Sequence, residues 1–148
     1  NTPALVGQGA TALAAGTHAD DDDVAWARDI LSGVGVVEVV PESLLDAVTG
    51  LSGSGPAYVF VVLDALIEGG VAAGLPRGTA ETLAAQTLAG AAALYQQGDA
   101  SPGELRAAVT SPGGTTAAGL RVLESRAVRS AFIDAVLAAR DRATELGA

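Results

Sequence analysis

Cysteine, lysine and methionine are all missing from this 148-residue chain. Without cysteine there is no disulfide framework, no thiol nucleophile and no thiolate metal site. Without lysine there is no Schiff-base chemistry and no lysine general acid. Without methionine, and with Asn1-Thr2-Pro3 at its start, the sequence reads as a processed or truncated piece of something longer. Aromatic residues are scarce at 3%, so the 49% of hydrophobic residues must pack mainly through Ala, Val and Leu. Positive charge is scarce too: 8 arginines face 17 Asp plus Glu, for a formal charge of -9 with no basic cluster. That balance argues against nucleic acid or an anionic membrane as a partner. The most apolar run, Pro56 to Leu63, is far shorter than the ~20 residues of a membrane span, and Asp64 and Glu68 interrupt its continuation. No basic segment precedes an apolar one at the N-terminus, so no signal peptide is visible and the cytoplasm is the expected compartment.

The length suits one domain, or one domain with a fragment of another. Residues 1 to 40 differ from the rest. Ala10 to Ala15 is a short apolar stretch, Val24 to Leu31 is amphipathic, and Val36 to Val40 is β-branched and ends at Pro41. This predicts strand, helix, strand. Asp20 to Asp23 sit where a helix start favours negative charge, and one of them can cap it. A carboxylate metal cluster would need side chains that converge, which adjacent residues on one turn do not, so no metal site is expected. His18, the only histidine, reads as a surface residue.

From Pro41 onward the pattern predicts helices. Glu42 to Val48 suits a short one, and Ser52 to Pro56 a flexible turn. Ala57 to Ala73 is apolar on nearly all faces and needs cover all round, more than a chain of this size offers, which points to a subunit interface. Gly69, Gly70 and Gly74 should loosen its end and Leu75-Pro76 stop it. Pro76 suits the first turn of the next helix, which should end near Gln97 with Gly98 as cap. Ser101-Pro102-Gly103-Glu104 matches a capping box. A last helix is expected from Ala127 to Leu146.

Thr110 to Thr116, Thr-Ser-Pro-Gly-Gly-Thr-Thr, is the least helical segment and opens another helix. Its two glycines leave the backbone uncovered, so its amides can approach a ligand. Those amides stand at a helix start, where unpaired donors and the dipole favour an anion. Ser111, Thr115 and Thr116 add hydroxyls. The segment suits a small carboxylate or phosphate, and it holds no group that titrates near neutrality, which suits chemistry done by a cofactor. The plain alternative is a glycine-rich helix start capped by threonines.

Ser52-Gly53-Ser54-Gly55-Pro56-Ala57-Tyr58, Gly74-Leu75-Pro76-Arg77 and Val109 to Thr116 occur in the order and spacing of pyrroline-5-carboxylate reductases, which the whole chain resembles. Gly119-Leu120 and Leu123-Glu124 extend the resemblance, as does Asn1-Thr2-Pro3-Ala4 with Gly7 and Gly9. It implies a mainly α fold: a helical dimerisation domain at 41–148, preceded at 1–40 by the strand-helix-strand remnant of a dinucleotide-binding Rossmann domain. The Gly-x-Gly-x-x-Gly fingerprint of such a domain is missing, so its first ~120 residues are expected to lie outside this chain. The implied reaction reduces 1-pyrroline-5-carboxylate to L-proline with NADPH or NADH. Ser111 and the amides of Gly113, Gly114 and Thr115 would hold the substrate carboxylate. Thr116 would hydrogen-bond the imine nitrogen in the catalytic position, and Asn1 would lie near the nicotinamide. A homodimer or larger homo-oligomer is implied, and the fragment alone is expected to be inactive. The family often has an acidic or amide residue where this chain has Ala107-Ala108. Hydroxyacid and 6-phosphogluconate dehydrogenases share the layout but typically rely on a lysine in the helical domain, and this chain has none. A purely structural dimerisation module is the remaining alternative.

Overall fold

A computed structural model describes residues 1–147. Gly9–Leu13 (β1) and Gly35–Val39 (β2) pair in parallel, with Gly9 opposite Gly35 and Leu13 opposite Val39. Parallel neighbours need a crossover, and α1, Asp21–Ser32, supplies it. The expected strand-helix-strand is therefore present. The aspartates cap α1. Asp20 Oδ1 accepts from the Asp23 amide at 3.0 Å, and Asp23 Oδ2 accepts from the Asp20 amide at 3.2 Å. Among the described residues no group of three or more His, Asp or Glu converges on a metal-sized space.

After a 3-10 turn at Glu42–Leu44 comes α2, Leu45–Val48, and a π turn over Thr49–Gly53 leads into α3, Gly55–Ala72. The flexible turn expected at Ser52 to Pro56 is thus helical instead. The Ser54 amide reaches back five residues to the Thr49 carbonyl at 2.9 Å. Thr49 and Ser52 hydroxyls donate to the carbonyls of Leu45 and Val48, a pattern that widens or bends a helix. The wider turn lets the last helix, α7 (Val128–Gly147), come very close. A Cβ on Gly50 would lie 2.6 Å from the Val136 carbonyl oxygen and 2.9 Å from the Arg140 amide. Tyr58 fastens the contact, its hydroxyl 3.3 Å from the carbonyls of both Gly50 and Ala135. The Thr144 hydroxyl also donates to Asp46 Oδ2 at 2.7 Å.

The described residues divide into two compact units, 1–59 with 130–147, and Phe60–Arg129. The boundary expected at residue 40 falls inside the first unit. In the second unit α4, Arg77–Gln96, follows α3, and Gly70 sits where a Cβ would be 3.0 Å from Ala80 Cβ. Gly69 and Gly70 therefore do not loosen α3. Gly70 lets α4 approach and bury Ala80 and Ala84. Gly74, at φ +101°, ends the run. Pro76 is the residue just before α4 rather than in its first turn, and the α4 cap is Gln97 rather than Gly98. Arg77 donates to Glu68 across the corner, and that hydrogen bond pushes its pKa up.

No residue of α3 is buried; Phe60 is 63% and Val61 69% exposed. The cover this helix needs is not supplied by its own chain. Glu42–Ala72 forms a 31-residue helical run with a mean hydropathy of 1.4 over its most apolar window, long and apolar enough by length and composition to cross a membrane. The expectation of no such span rested on Asp64 and Glu68 cutting the apolar run short. Helical continuity upstream through the π turn lengthens it.

Candidate functional site

Two short helices of the second unit frame the motif, α5 at Pro102–Ala108 and α6 at Thr115–Ser125. α5 opens with the expected capping box. Ser101 Oγ accepts from the Glu104 amide at 3.3 Å, while Glu104 Oε2 accepts from the Ser101 amide at 2.8 Å and its hydroxyl at 2.7 Å. These bonds, the hydroxyl's first, hold the Glu104 carboxyl below the usual carboxylate range. At the other end Thr110 donates its hydroxyl to the Arg106 carbonyl at 2.6 Å.

The chain then reverses at Ser111 to Gly114, where the Gly114 amide donates to the Ser111 carbonyl at 3.1 Å. Proline followed by a residue at positive φ is the signature of a type II turn. Pro112 fills the first central position, and Gly113 the second at φ +69°. Gly114 is the N-cap of α6, in extended backbone, and no side chain caps this helix. The amides of Gly113, Thr115, Thr116 and Ala117 therefore have no partner among the described residues. The hydroxyls of Ser111, Thr115 and Thr116 make no hydrogen bond there either. Ser111, Gly113, Thr115 and Thr116 are exposed and Gly114 is half-buried.

The result is an exposed α6 start with unsatisfied amides, hydroxyls beside them and the positive end of the helix dipole behind. Such a set of donors suits an anion, and the hydroxyls can donate or accept further hydrogen bonds. Of the sequence-predicted residues, Ser111, Gly113, Thr115 and Thr116 present free donors. Gly114 does not, because its amide is engaged within the turn. Beside the motif, Arg106, Ala107, Thr110, Ala117, Leu120, Arg121 and Glu124 line an open concavity of about 460 Å³. Ala107 adds only a methyl to its wall. Glu124 bridges Arg129 at 2.8 Å and Arg106 at 3.4 Å, and the hydrogen bond from Arg129 is the main cause that lowers its pKa.

Asn1 belongs to the first unit. Its Nδ2 donates to the Ser52 carbonyl at 2.9 Å and its Oδ1 accepts from the Ala10 amide at 3.0 Å, so the side chain ties β1 to the π turn. Sequence reasoning missed this bridge and the Tyr58 hydroxyl. Tyr58 stands directly after the Ser-Gly-Ser-Gly-Pro-Ala segment, the one signal that could have found it. His18 sits in the exposed turn before α1.

A family described as pyrroline-5-carboxylate reductase dimerisation matches residues 42–146. The pyrroline-5-carboxylate reductase of Synechocystis sp. is 54% identical over 147 residues, which are 99% of this chain and 55% of the relative. That of Methanosarcina acetivorans is 48% identical, covering 99% of this chain and 54% of its own. Among solved structures, a pyrroline-5-carboxylate reductase of Coxiella burnetii superposes with a TM-score of 0.95 at 45% identity, over 99% of this chain and 54% of that one. A Plasmodium falciparum pyrroline carboxylate reductase with NADP bound gives 0.94 at 33% identity, over 100% of this chain and 60% of the other. The chain spans about half the length of the curated relatives it matches.

Proposed function

The chain belongs to the pyrroline-5-carboxylate reductase family, and from that premise we propose that it supplies the substrate-binding and dimerisation part of an enzyme converting 1-pyrroline-5-carboxylate to L-proline. The observation that carries this reading is the α6 start, whose free amides and hydroxyls meet the chemistry of this substrate: one carboxylate, one imine nitrogen and no other polar group. The Ser111 hydroxyl and the amides of Gly113 and Thr115 hold the carboxylate. Thr116 Oγ1 hydrogen-bonds the imine nitrogen and orients the C=N bond. In the reaction a hydride adds to the imine carbon, the C=N double bond becomes single, and the nitrogen takes up a proton. A nicotinamide cofactor, NADPH or NADH, supplies the hydride when bound. Residues 110–116 contain no acid or base that titrates near neutrality, which suits positioning rather than general acid–base catalysis.

Among the described residues no strand runs through Gly-x-Gly-x-x-Gly into a helix. The side chain of Asn1 is engaged on both its polar atoms. The proposed roles of Ser111, Gly113, Thr115 and Thr116 concern the substrate; Asn1, with one Nδ2 hydrogen still free, is proposed to lie near the nicotinamide. Residues 1–40 are assigned to the edge of a dinucleotide-binding domain, and a family match that begins at residue 42 supports this. The exposed apolar side chains of α3 are assigned to a second copy of the chain, in a homodimer or larger homo-oligomer, and the compartment to the cytoplasm.

Thr116→Ala in the natural protein tests the site. It should lower kcat/KM by about 10- to 100-fold, the range for losing an orienting hydrogen bond in the transition state. An unchanged kcat/KM removes Thr116 from the role. A second reading, a dimerisation module with no substrate site, draws on the exposed face of α3 alone. It predicts that Thr116→Ala and Ser111→Ala leave activity untouched.

A further inference from the structure

Two glycines follow Pro112, and the backbone demands only the first. Gly113 stands at φ +69°, which L side chains rarely adopt, but a Cβ there would meet open space. Gly114 stands at φ -76° and ψ 174°, extended backbone open to any residue. Its lack of a side chain needs another cause. A Cβ on Gly114 would press into Ser111 Oγ far inside van der Waals contact and lie 3.2 Å from the Ser111 carbonyl oxygen. Ser111 Cβ would be at an ordinary 3.6 Å. The steric demand at Gly114 therefore comes chiefly from one atom, the serine hydroxyl oxygen. That hydroxyl has no partner among the described residues, and it lies over the bare α-carbon at the head of α6.

We infer that Gly114 is a positioning residue that acts through Ser111. By carrying no side chain it leaves the space in which the hydroxyl turns inward, toward the helix start where the Thr115 and Thr116 amides are free. A methyl group at 114 drives the hydroxyl out of that rotamer and takes one donor from the anion. This rests on the proposal that the α6 start holds the substrate carboxylate. It gives Gly114 a task different from donating its own amide, which is engaged with the Ser111 carbonyl at 3.1 Å.

A double-mutant cycle in the natural protein tests it, with steady-state kinetics on 1-pyrroline-5-carboxylate and NADPH and with circular dichroism of each variant. Ser111→Ala and Gly114→Ala are each expected to raise KM about tenfold, the loss of one hydrogen bond to a charged group, with kcat within about threefold of wild type. The double variant should be no worse than Ser111→Ala, because Gly114→Ala has nothing left to displace. A double variant near 100-fold, the product of independent effects, overturns the inference and leaves the carboxylate reading intact. So does a Gly114→Ala variant with wild-type KM. A Ser111→Ala variant with wild-type KM overturns both. Should Gly114→Ala fail to fold, recovery of the fold in the Ser111→Ala background supports the inference. Unfolding in both backgrounds overturns it.

Discussion

Two helices of the second unit begin with the same three residues and come out differently. Ser101-Pro102-Gly103-Glu104 opens α5, and Ser111-Pro112-Gly113-Gly114 opens α6. At α5 the helix begins at the proline itself, and Glu104 folds its carboxylate back onto the amide and hydroxyl of Ser101. At α6 the fourth residue has no side chain to fold back. The third takes positive φ, and the helix begins only at Thr115. One start supplies its own carboxylate; the other keeps its donors and lacks the acid. A Ser-Pro-Gly opening is thus neither structural nor functional in itself. The residue after it decides whether the helix start is closed from within or left open.

The sharpest way to break this contrast is to give α6 the acid it lacks. Gly114→Glu should raise the substrate KM well beyond the about tenfold expected of Gly114→Ala, since a tethered carboxylate adds competition at an effective concentration on the order of millimolar. Gly114→Gln, equally bulky but uncharged, should raise it less. Equal KM values for the two variants would show that crowding, not charge, closes the site. A smaller effect separates the third positions. Gly113→Ala should cost about 1–2 kcal/mol, because an L residue is forced to positive φ. Gly103→Ala, inside a helix, should gain up to about 1 kcal/mol. Urea unfolding of both variants reads the two signs, and like signs would mean that the two turns are alike. The smallest effect is set by acid. The folded-state pKa of Glu104 is depressed by Ser101, so its contribution to stability is complete above the ordinary carboxylate range and fades as pH falls through the lowered value. The amide signals of Ser101 and Glu104 should titrate below that range in NMR spectra, while those of Thr115 and Thr116 stay flat. Titration at all four positions would erase the distinction.

What could be read from sequence was what local chemistry decides. The capping acids of α1, the box of α5 and the strand-helix-strand order each depend on neighbours in the chain. The turn and uncapped helix start of 110–116 were legible because proline followed by two glycines specifies a turn and leaves no side chain at the N-cap. The π turn was not legible. Ser-Gly-Ser-Gly-Pro looks like a flexible turn until α7 arrives at Gly50, and that contact comes from residues 136 and 140. Gly70 misled for the same reason, since Ala80 uses the space it leaves. The separate causes of Gly113 and Gly114 were also hidden, because a torsion angle and a displaced hydroxyl look identical as two letters. The bridge made by Asn1 needed Ser52 and Ala10 brought beside it.

The contacts at Gly50 also set an order of events during synthesis. Tyr58 meets the carbonyl of Ala135, 77 positions later, and Asp46 meets Thr144, 98 positions later. Phe60–Arg129 is one uninterrupted stretch, so once residue 129 has left the ribosome every partner the second unit needs is present. The first unit begins to emerge earlier yet finishes last, because its early residues must wait for the final helix. Long loops of this kind slow folding and leave the early segment uncovered in the meantime. A nascent chain halted when Arg129 has left the ribosome but Ala135 has not should therefore hold a second unit more protease-resistant than Thr49–Gly53, which stays open to cleavage.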